Sequence, residues 1–300
     1  MKFSDFPIVY FGLPQGARVL REEGHDLRLV CLSRRDSPGT KTVQRLFPGR
    51  VLLCPKLDDP RVRRQIEAIG PKLLVSWFWT KRIPKEVLRI APAFGVHPSL
   101  LPQYRGADPT FWTIANGDKI TGVTAHRLEH EYDTGAILGV KTIKVKGSWT
   151  SWQLAKALDA PSLRLLRSIT HAYRSGNAPE ELPQSKLPKA NVSEAPQLTD
   201  EQLEINWDAS TSHIERFIRA ASPYPGAYAW VGNNVVTIVR ARPTRVFPNA
   251  LHPGEGFLER GLLGIRTRDG ALLLQHARIS DSRDREHAYA GRAIPAALGL

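Results

Sequence analysis

The sequence predicts an α/β domain on a mostly parallel sheet, then a linker, then a small mostly-β domain. Three observations carry this expectation. Short apolar runs alternate with helical patterns through roughly the first ninety residues. An aperiodic stretch containing four prolines follows a long helical pattern, and the remainder breaks into short strands separated by turns. Strands alternating with helices imply crossover units and parallel pairing, whereas closely spaced short strands fit a small barrel or sandwich.

Residues 7–11 (PIVYF) read as a buried strand and 15–23 as the helix after it, with Gly12 and Gly16 at the turn between them. A Rossmann-type fold binds phosphate at such a turn. The spacing here is not GxGxxG, and a plain tight turn accounts for both glycines. Residues 27–32 and 51–54 give the second and third strands, 61–68 an amphipathic helix, and 72–77 (KLLVSW) a fourth strand. Residues 94–98 end a further strand, 108–116 form a helix, and 122–127 with 136–145 form a pair of strands. A helix over 150–173 presents Trp152, Leu154, Leu158, Leu163 and Leu166 as its apolar residues. Residues 176–199 signal a linker. Beyond it, 201–221 suggests a helix, and 227–231, 235–240, 262–266 and 271–277 suggest strands, with turns at Gly232-Asn233-Asn234 and Asp269-Gly270. The expected domains are 1–180 and 201–300, joined by a linker over 181–200.

A hydrophobic share of 42% and seven Trp support real cores and exclude a disordered chain. No apolar run is long enough to span a membrane, and the opening MKFSDFPIVYFG, with Asp5, does not read as a signal peptide. Cys31 and Cys54 both sit in apolar runs, which suits buried free thiols in a reducing compartment and an expected cytoplasmic location. The formal net charge of +13 fits an anionic partner such as a nucleotide, a polyglutamylated cofactor or a nucleic acid. A merely basic, solvated surface fits it equally, because the Arg and Lys are scattered. No Cys/His cluster has metal-ligand spacing, so no metal is expected.

The residues that suggest chemistry begin at Val96-His97-Pro98-Ser99. His97 falls at a strand end, followed by a loop with two prolines closed by Gly106. Catalytic groups of open α/β sheets gather outside the carboxyl ends of strands, and an imidazole there suits proton transfer near neutrality. A second stretch runs from Thr121 to Gly135 and contains Asp133 in a turn before a strand. A carboxylate at that point can hold His97 in one tautomer and stabilise its protonated form. Taken singly, a packed histidine and a common Asp-Thr-Gly turn explain these residues as well.

HPSLLPQYRG at 97–106 followed by TGVTAHRLEHEYDTG at 121–135 resembles the signature of enzymes that use 10-formyltetrahydrofolate to formylate an amine. These include the methionyl-tRNA, glycinamide ribonucleotide and amino-sugar formyltransferases. Ile205-Asn206-Trp207 and IRAASPYPGA at 218–227 resemble the start of the C-terminal domain in the tRNA and amino-arabinose types.

The resemblance implies a Rossmann-like core followed by an open-barrel, OB-like domain, with 10-formyltetrahydrofolate as co-substrate and no metal. It implies that His97 is the acid/base and charge stabiliser, with Asp133 as its partner. Ser99, Leu100, Leu101, Pro102, Tyr104, Arg105 and Gly106 would be the loop that shapes the pocket. Trp77, Phe78, Trp79 and Ile83 on one side and Glu129, Tyr132 and Asp133 on the other would enclose the folate. The family's Asn, which donates a hydrogen bond to the developing oxyanion, falls at position 95, where this chain has Gly95. Three outcomes stay open: a neighbouring polar group such as Asp108 or Thr110 compensates, the one-carbon chemistry has changed, or catalysis is lost. The short segment 33–47 resembles the sugar-nucleotide type and favours a small amine, such as a nucleotide-linked amino sugar or a natural-product intermediate, as acceptor, with tRNA as the alternative. No membrane partner is implied.

Overall fold

The computed structural model describes residues 5–188, 192–232, 234–280 and 285–300. The chain forms two units: Met1–Pro109, Ile120–Ile143 and Ala157–Pro196 make the first, and Thr110–Lys119, Lys144–Lys156 and Gln197–Leu300 the second. The expected mixed α/β domain with a mostly parallel sheet and the separate antiparallel β domain are both present.

The first sheet contains β1 (Pro7–Gly12), β2 (Asp26–Leu32), β3 (Val51–Leu53), β4 (Leu73–Trp77), β5 (Ala93–His97), β6 (Ile120–Arg127) and β7 (Ile137–Lys144). Their order is β3-β2-β1-β4-β5-β6-β7. The pairs β1/β2, β1/β4, β2/β3 and β4/β5 are parallel, and β5/β6 is antiparallel. Every residue of β4 and β5 is buried, as expected of central strands covered on both faces. Val9, Phe11, Leu29, Cys31, Leu74 and Ala93 form a core on one face with Ile66 and Val87 from the helices.

Helix α1 (Pro14–Glu22) starts with proline at its first turn, where no amide donor is needed. A Cβ at Gly12 would run into the Trp77 carbonyl, and one at Gly16 into the Tyr10 hydroxyl, so both glycines serve close approach in a tight turn. Helix α2 (Thr40–Leu46) was not expected from the sequence; its mostly exposed residues bury only Thr40 and Val43. In α3 (Pro60–Ile69), Asp59 caps the start by accepting the Arg61 amide at 2.8 Å, and Gly70 ends it with a φ of 58°. The short α4 (Lys85–Leu88) and α5 (Pro109–Asn116) follow.

Helix α6 (Ser151–Arg174) buries Leu154, Leu158, Leu165, Leu166 and Ile169. Trp152 is 66% exposed and Leu163 only half-buried, which corrects the expected apolar face. Each stands two positions before a buried leucine, about 200° round the helix from it. The stretch expected as a linker makes regular contacts. Leu182 and Ile137 exchange backbone bonds of 2.8 and 2.9 Å, and Arg105 does so with Ser193 and Ala195 at 2.9 and 2.6 Å. Residues 189–191 of that stretch lie outside the described residues.

In the second unit, the expected helix over 201–221 is a 3-10 turn at Glu201–Leu203 and then α7 (Thr211–Ala221). Two bonds, one to a distant strand and one local, stop a continuous helix. The Ile205 amide donates to the Tyr228 carbonyl at 2.8 Å, and the Asn206 side chain accepts from the Asp208 amide at 3.0 Å. The curled sheet comprises β8 (Ala227–Val231), β9 (Asn234–Thr244), β10 (Gly256–Glu259), β11 (Leu262–Arg266), β12 (Ala271–Ser280) and β13 (Glu286–Ala290), with α8 (Ala293–Ala297) last. Register shifts between Leu274 and Ala277 interrupt the long β9/β12 ladder, as a bulge that curls a sheet does. Strands β10 and β13 have exposed, charge-bearing sequences and escaped the sequence reading. Asn233 of the expected turn lies outside the described residues.

Candidate active site

The loops that leave β4 and β5, together with the turn after β6, enclose a cavity of about 280 Å³. His97 ends β5 and is buried, and its Nε2 lies 2.8 Å from the Tyr104 carbonyl. A carbonyl only accepts, so Nε2 carries the hydrogen in this bond. Its Nδ1 lies 3.4 Å from Asp133 Oδ2. The other carboxylate oxygen, Oδ1, lies 3.4 Å from Nε2 of a second buried histidine, His126. That residue stands directly opposite Gly95 in the β5/β6 pair, and its Nδ1 lies 3.0 Å from the Arg127 carbonyl. The two rings meet edge to face at 6.4 Å. One carboxylate therefore sits between two imidazoles.

Asp133 is held at its carboxylate and at its backbone carbonyl. The Gly106 amide donates to its Oδ2 at 2.9 Å, and Gln184 Nε2 donates to its backbone carbonyl at 2.7 Å and to that of Gly135 at 2.8 Å. The Gln184 oxygen in turn accepts from Arg105 at 2.6 and 3.2 Å. Phe78, Tyr104 and Asp133 all have φ near +55°, a region that non-glycine residues rarely occupy and that clusters at functional sites.

Burial alone would raise the Asp133 pKa. The charge on His97, the bond from His126 and the Gly106 amide outweigh burial and hold it at about 2. Burial pushes His97 below its ordinary value and His126 adds to that, while Asp133 and the Tyr104 carbonyl act the other way. At neutral pH the carboxylate is the anion of the group and His97 can accept a proton.

The expected site residues divide into two sets. Phe78, Trp79, Ile83, Gly95, His97, Gly106, Glu129, Tyr132 and Asp133 all line the cavity. Trp77 does not: its ring is buried, its Nε1 donates to Ser162 Oγ at 3.0 Å, and Phe78 stacks on it at 4.5 Å, so it belongs to the core. Ser99, Leu100, Leu101, Pro102, Tyr104 and Arg105 also lie outside the cavity lining. They act on it indirectly: Ser99 Oγ donates to the Gln103 carbonyl at 2.6 Å, while Tyr104 and Arg105 hold His97 and Gln184. Neither Asp108 nor Thr110 lines the cavity. A Cβ built on Gly95 would meet Leu128 Cδ2 at 2.9 Å, Ser76 Cβ at 3.5 Å and His126 Nε2 at 3.6 Å.

Sequence reasoning assigns no role to His126, Leu128 or Gln184, and takes in Lys81, Arg82 and His130 only as members of the segments 76–84 and 129–133 expected to wall the folate pocket. His126 and Leu128 stand in or beside stretches already singled out, but only the β5/β6 register turns His126 toward Gly95. Nothing local marks Gln184. The Nε1 of Trp79 and Nδ1 of His130, both buried, find no hydrogen-bond partner among the described residues. A second groove, of about 500 Å³, shares Trp79, Lys81, Arg82 and His130 with the cavity and adds Lys56 and Lys85.

These features define a two-domain α/β protein with a buried His–Asp–His group at the ends of its central strands. Residues 31–169 match the formyl transferase family and residues 197–286 the formyl transferase C-terminal domain, and the chain belongs to the formyltransferase superfamily. It is 29% identical to a methionyl-tRNA formyltransferase of Thermodesulfovibrio yellowstonii over 282 residues, covering 88% of each chain. Its fold matches that of HypX from Aquifex aeolicus in complex with tetrahydrofolic acid, with a TM-score of 0.66 at 20% identity; the match covers 96% of this chain and 46% of HypX, so the chain spans about half that protein's length. The N-formyltransferase from Helicobacter canadensis, solved with folinic acid and dTDP-3-aminofucose, gives a TM-score of 0.67 at 14% identity, covering 90% of this chain and 99% of that one.

Proposed function

We propose that this chain transfers a formyl group from 10-formyltetrahydrofolate to the primary amine of a small, nucleotide-linked acceptor such as an amino sugar. The observation that carries the reading is the ionised Asp133 beside His97 at the cavity lined by Phe78, Trp79, Ile83 and Tyr132. A flat, partly apolar ring system fits that lining, and the Trp79 and His130 nitrogens, without partners among the described residues, offer polar contacts to it. The second groove, where Lys56, Lys81, Arg82 and Lys85 outnumber Asp58 and Glu86, suits the glutamate carboxylates of a folate. Bound there, the folate supplies a formyl carbon that an amine can attack.

The chain's own residues account for the proton movements. Tyr104 fixes the hydrogen of His97 on Nε2, which leaves Nδ1 to take the proton the amine loses when its nitrogen bonds to the formyl carbon. Asp133, 3.4 Å away, stabilises the imidazolium so formed. His97 then returns the proton to the departing folate nitrogen as the carbon–nitrogen bond breaks, giving an N-formyl product and tetrahydrofolate. Burial, which lowers the His97 pKa, keeps the ring neutral and ready to accept at pH 7.

A small acceptor is supported by the short segment 33–47 and by the sugar nucleotide bound to the Helicobacter protein. A second reading, formylation of methionyl-tRNA, is supported by the likeness to methionyl-tRNA formyltransferase along 88% of the chain and by the net charge of +13. The buried Cys31 thiol suits the reducing cytoplasm as the working compartment.

Titration calorimetry with 5-formyltetrahydrofolate tests the folate site, and micromolar binding is expected. Turnover of 10-formyltetrahydrofolate is then compared with dTDP-3-aminofucose and with charged methionyl-tRNA as acceptors. Absence of folate binding overturns the reading. Turnover with tRNA alone, with an affinity that falls steeply with salt, selects the second one.

A further inference from the structure

A formyl transfer leaves negative charge on the formyl oxygen as the amine adds, and a site without a donor aimed at that oxygen loses much of its rate. Position 95, where the family resemblance implies an amide side chain, is Gly95 and offers none here. The space a side chain would enter is bounded by Leu128, Ser76 and His126, and the histidine Nε2, at 3.6 Å, is the one polar atom among these nearest neighbours. His126 is buried, lines the cavity and faces residue 95 directly across the β5/β6 pair.

We propose that His126 is a second catalytic residue, whose Nε2–H replaces the missing amide as the hydrogen-bond donor to the formyl oxygen. The inference rests on the formyltransferase reading above and assigns the group that completes its site. The ring has the partners this role needs. Its Nδ1 faces the Arg127 carbonyl at 3.0 Å, which can only accept, so Nδ1–H points there. Its Nε2 faces Asp133 Oδ1 at 3.4 Å, again an acceptor. A hydrogen on Nε2 satisfies the carboxylate at rest and can be shared with the formyl oxygen as its charge develops. During the reaction the amine's lone pair forms the new nitrogen–carbon bond and the carbonyl π pair moves to oxygen, where Nε2–H donates. The amine's proton goes to His97. Collapse restores the carbonyl, and the carbon–nitrogen bonding pair leaves with the folate nitrogen, which takes the proton back from His97.

Two substitutions of similar size separate this role from a packing role. His126→Leu fills the site and removes the donor, whereas His126→Gln retains an amide donor. A third variant, His126→Ala with Gly95→Asn, moves the donor to the facing strand. The Leu128 side-chain end, 2.9 Å from the new Cβ, has to turn aside, and loss of the imidazole opens space for the amide. The readouts are 5-formyltetrahydrofolate affinity by calorimetry and turnover of 10-formyltetrahydrofolate with whichever acceptor the wild type uses. The expected result for His126→Leu is a fall of about 10²–10³-fold in kcat, with folate affinity changed only a few-fold. His126→Gln keeps at least ten times the rate of His126→Leu, and the double variant regains at least tenfold over His126→Ala. Equal rates for the Leu and Gln variants, both binding folate, overturn the proposal even if the double variant fails to fold. A wild type that binds folate but turns nothing over overturns the formyltransferase reading itself, and this inference with it.

Discussion

The first unit buries histidine in two different ways. His97 and His25 are both almost inaccessible, and burial lowers the pKa of both. Around His97 each nitrogen has an acceptor, the Tyr104 carbonyl on one side and Asp133 on the other. His25, in the turn between α1 and β2, has only Glu23 at 3.9 Å from its Nε2, and its Nδ1 meets no partner among the described residues. The charges near it, Arg174 and His171, are positive and push its pKa down further, to about 4. Burial removes water from both rings, but only at His97 does a neighbouring carboxylate, Asp133 at 3.4 Å, act against burial; Glu23, at 3.9 Å, does not do so for His25. On the proposed function, a site for proton transfer is marked by burial together with a close carboxylate, and burial without that support marks a core residue.

The sharpest test exchanges the consequences. His97→Ala should lower kcat/KM for formyl transfer about 10³-fold, the scale of a lost acid/base, while calorimetric affinity for 5-formyltetrahydrofolate stays within a few-fold. His25→Ala should leave kcat/KM within about twofold and appear instead as a lower melting temperature. Comparable loss of turnover in both variants would break the distinction.

The next effect separates the two rings by pH. His25 has a folded pKa of about 4 against an unfolded value near ~6.5, so folding holds it neutral and the unfolded chain binds the extra proton. Its contribution to stability is whole above pH 6.5 and declines as pH falls from there to 4, by roughly 3 kcal/mol in total. Asp133 works in a lower window. Its folded pKa of about 2 lies below the usual carboxylate value, so its contribution is present above about pH 4 and lost as pH falls toward 2. Chemical denaturation at pH 7, 5.5 and 4 should show the first decline, and His25→Gln should flatten it. A decline unchanged by that substitution would assign it to other groups.

A smaller effect concerns the supports that only His97 has. Gln184 holds the Asp133 and Gly135 carbonyls and takes two bonds from Arg105, yet does not line the cavity. On the proposed function it is a positioning residue. Gln184→Ala should let the Asp133 turn shift and lower kcat by about 10–10²-fold, the cost of displacing a catalytic group by around 1 Å, with KM for the folate little changed. Because the position acts through Asp133, the pH profile of kcat should shift as well, which simple destabilisation would not produce.

Much of this was readable in the chain. The strands with continuous apolar runs, such as PIVYF and KLLVSW, could be placed to within a residue or two because buried parallel strands leave that mark. His97 and Asp133 were legible through their motifs. What escaped depends on pairing across distance. Trp77 and Trp79 look alike in sequence, but strand alternation and the loop after β4 send one to Ser162 in the core and the other to the cavity. His126 gains its place only from the antiparallel register with β5, and Gln184 lies in a proline-rich stretch whose backbone bonds to Ile137 carry no local pattern. Helix 201–221 failed partly for the same reason, since the Ile205 bond to Tyr228, on the distant strand β8, joined a local Asn206 turn in overriding a favourable composition.

The least effect expected is also the one that isolates the unpaired nitrogen of His25. Removing one partner of a made hydrogen bond strands the other, whereas replacing a polar group that already lacks a partner strands nothing. The His25 amide still donates to the Leu20 carbonyl at 3.0 Å whatever its side chain, so the turn after α1 is retained. His25→Leu, close in volume, should therefore change stability at pH 8 by less than about 1 kcal/mol in either direction. At pH 5, where the wild-type ring is under proton pressure, the Leu variant should be the more stable protein. A loss well above 1 kcal/mol at pH 8 would mean that the buried ring makes a bond worth keeping, and the contrast with His97 would then rest on the carboxylate alone.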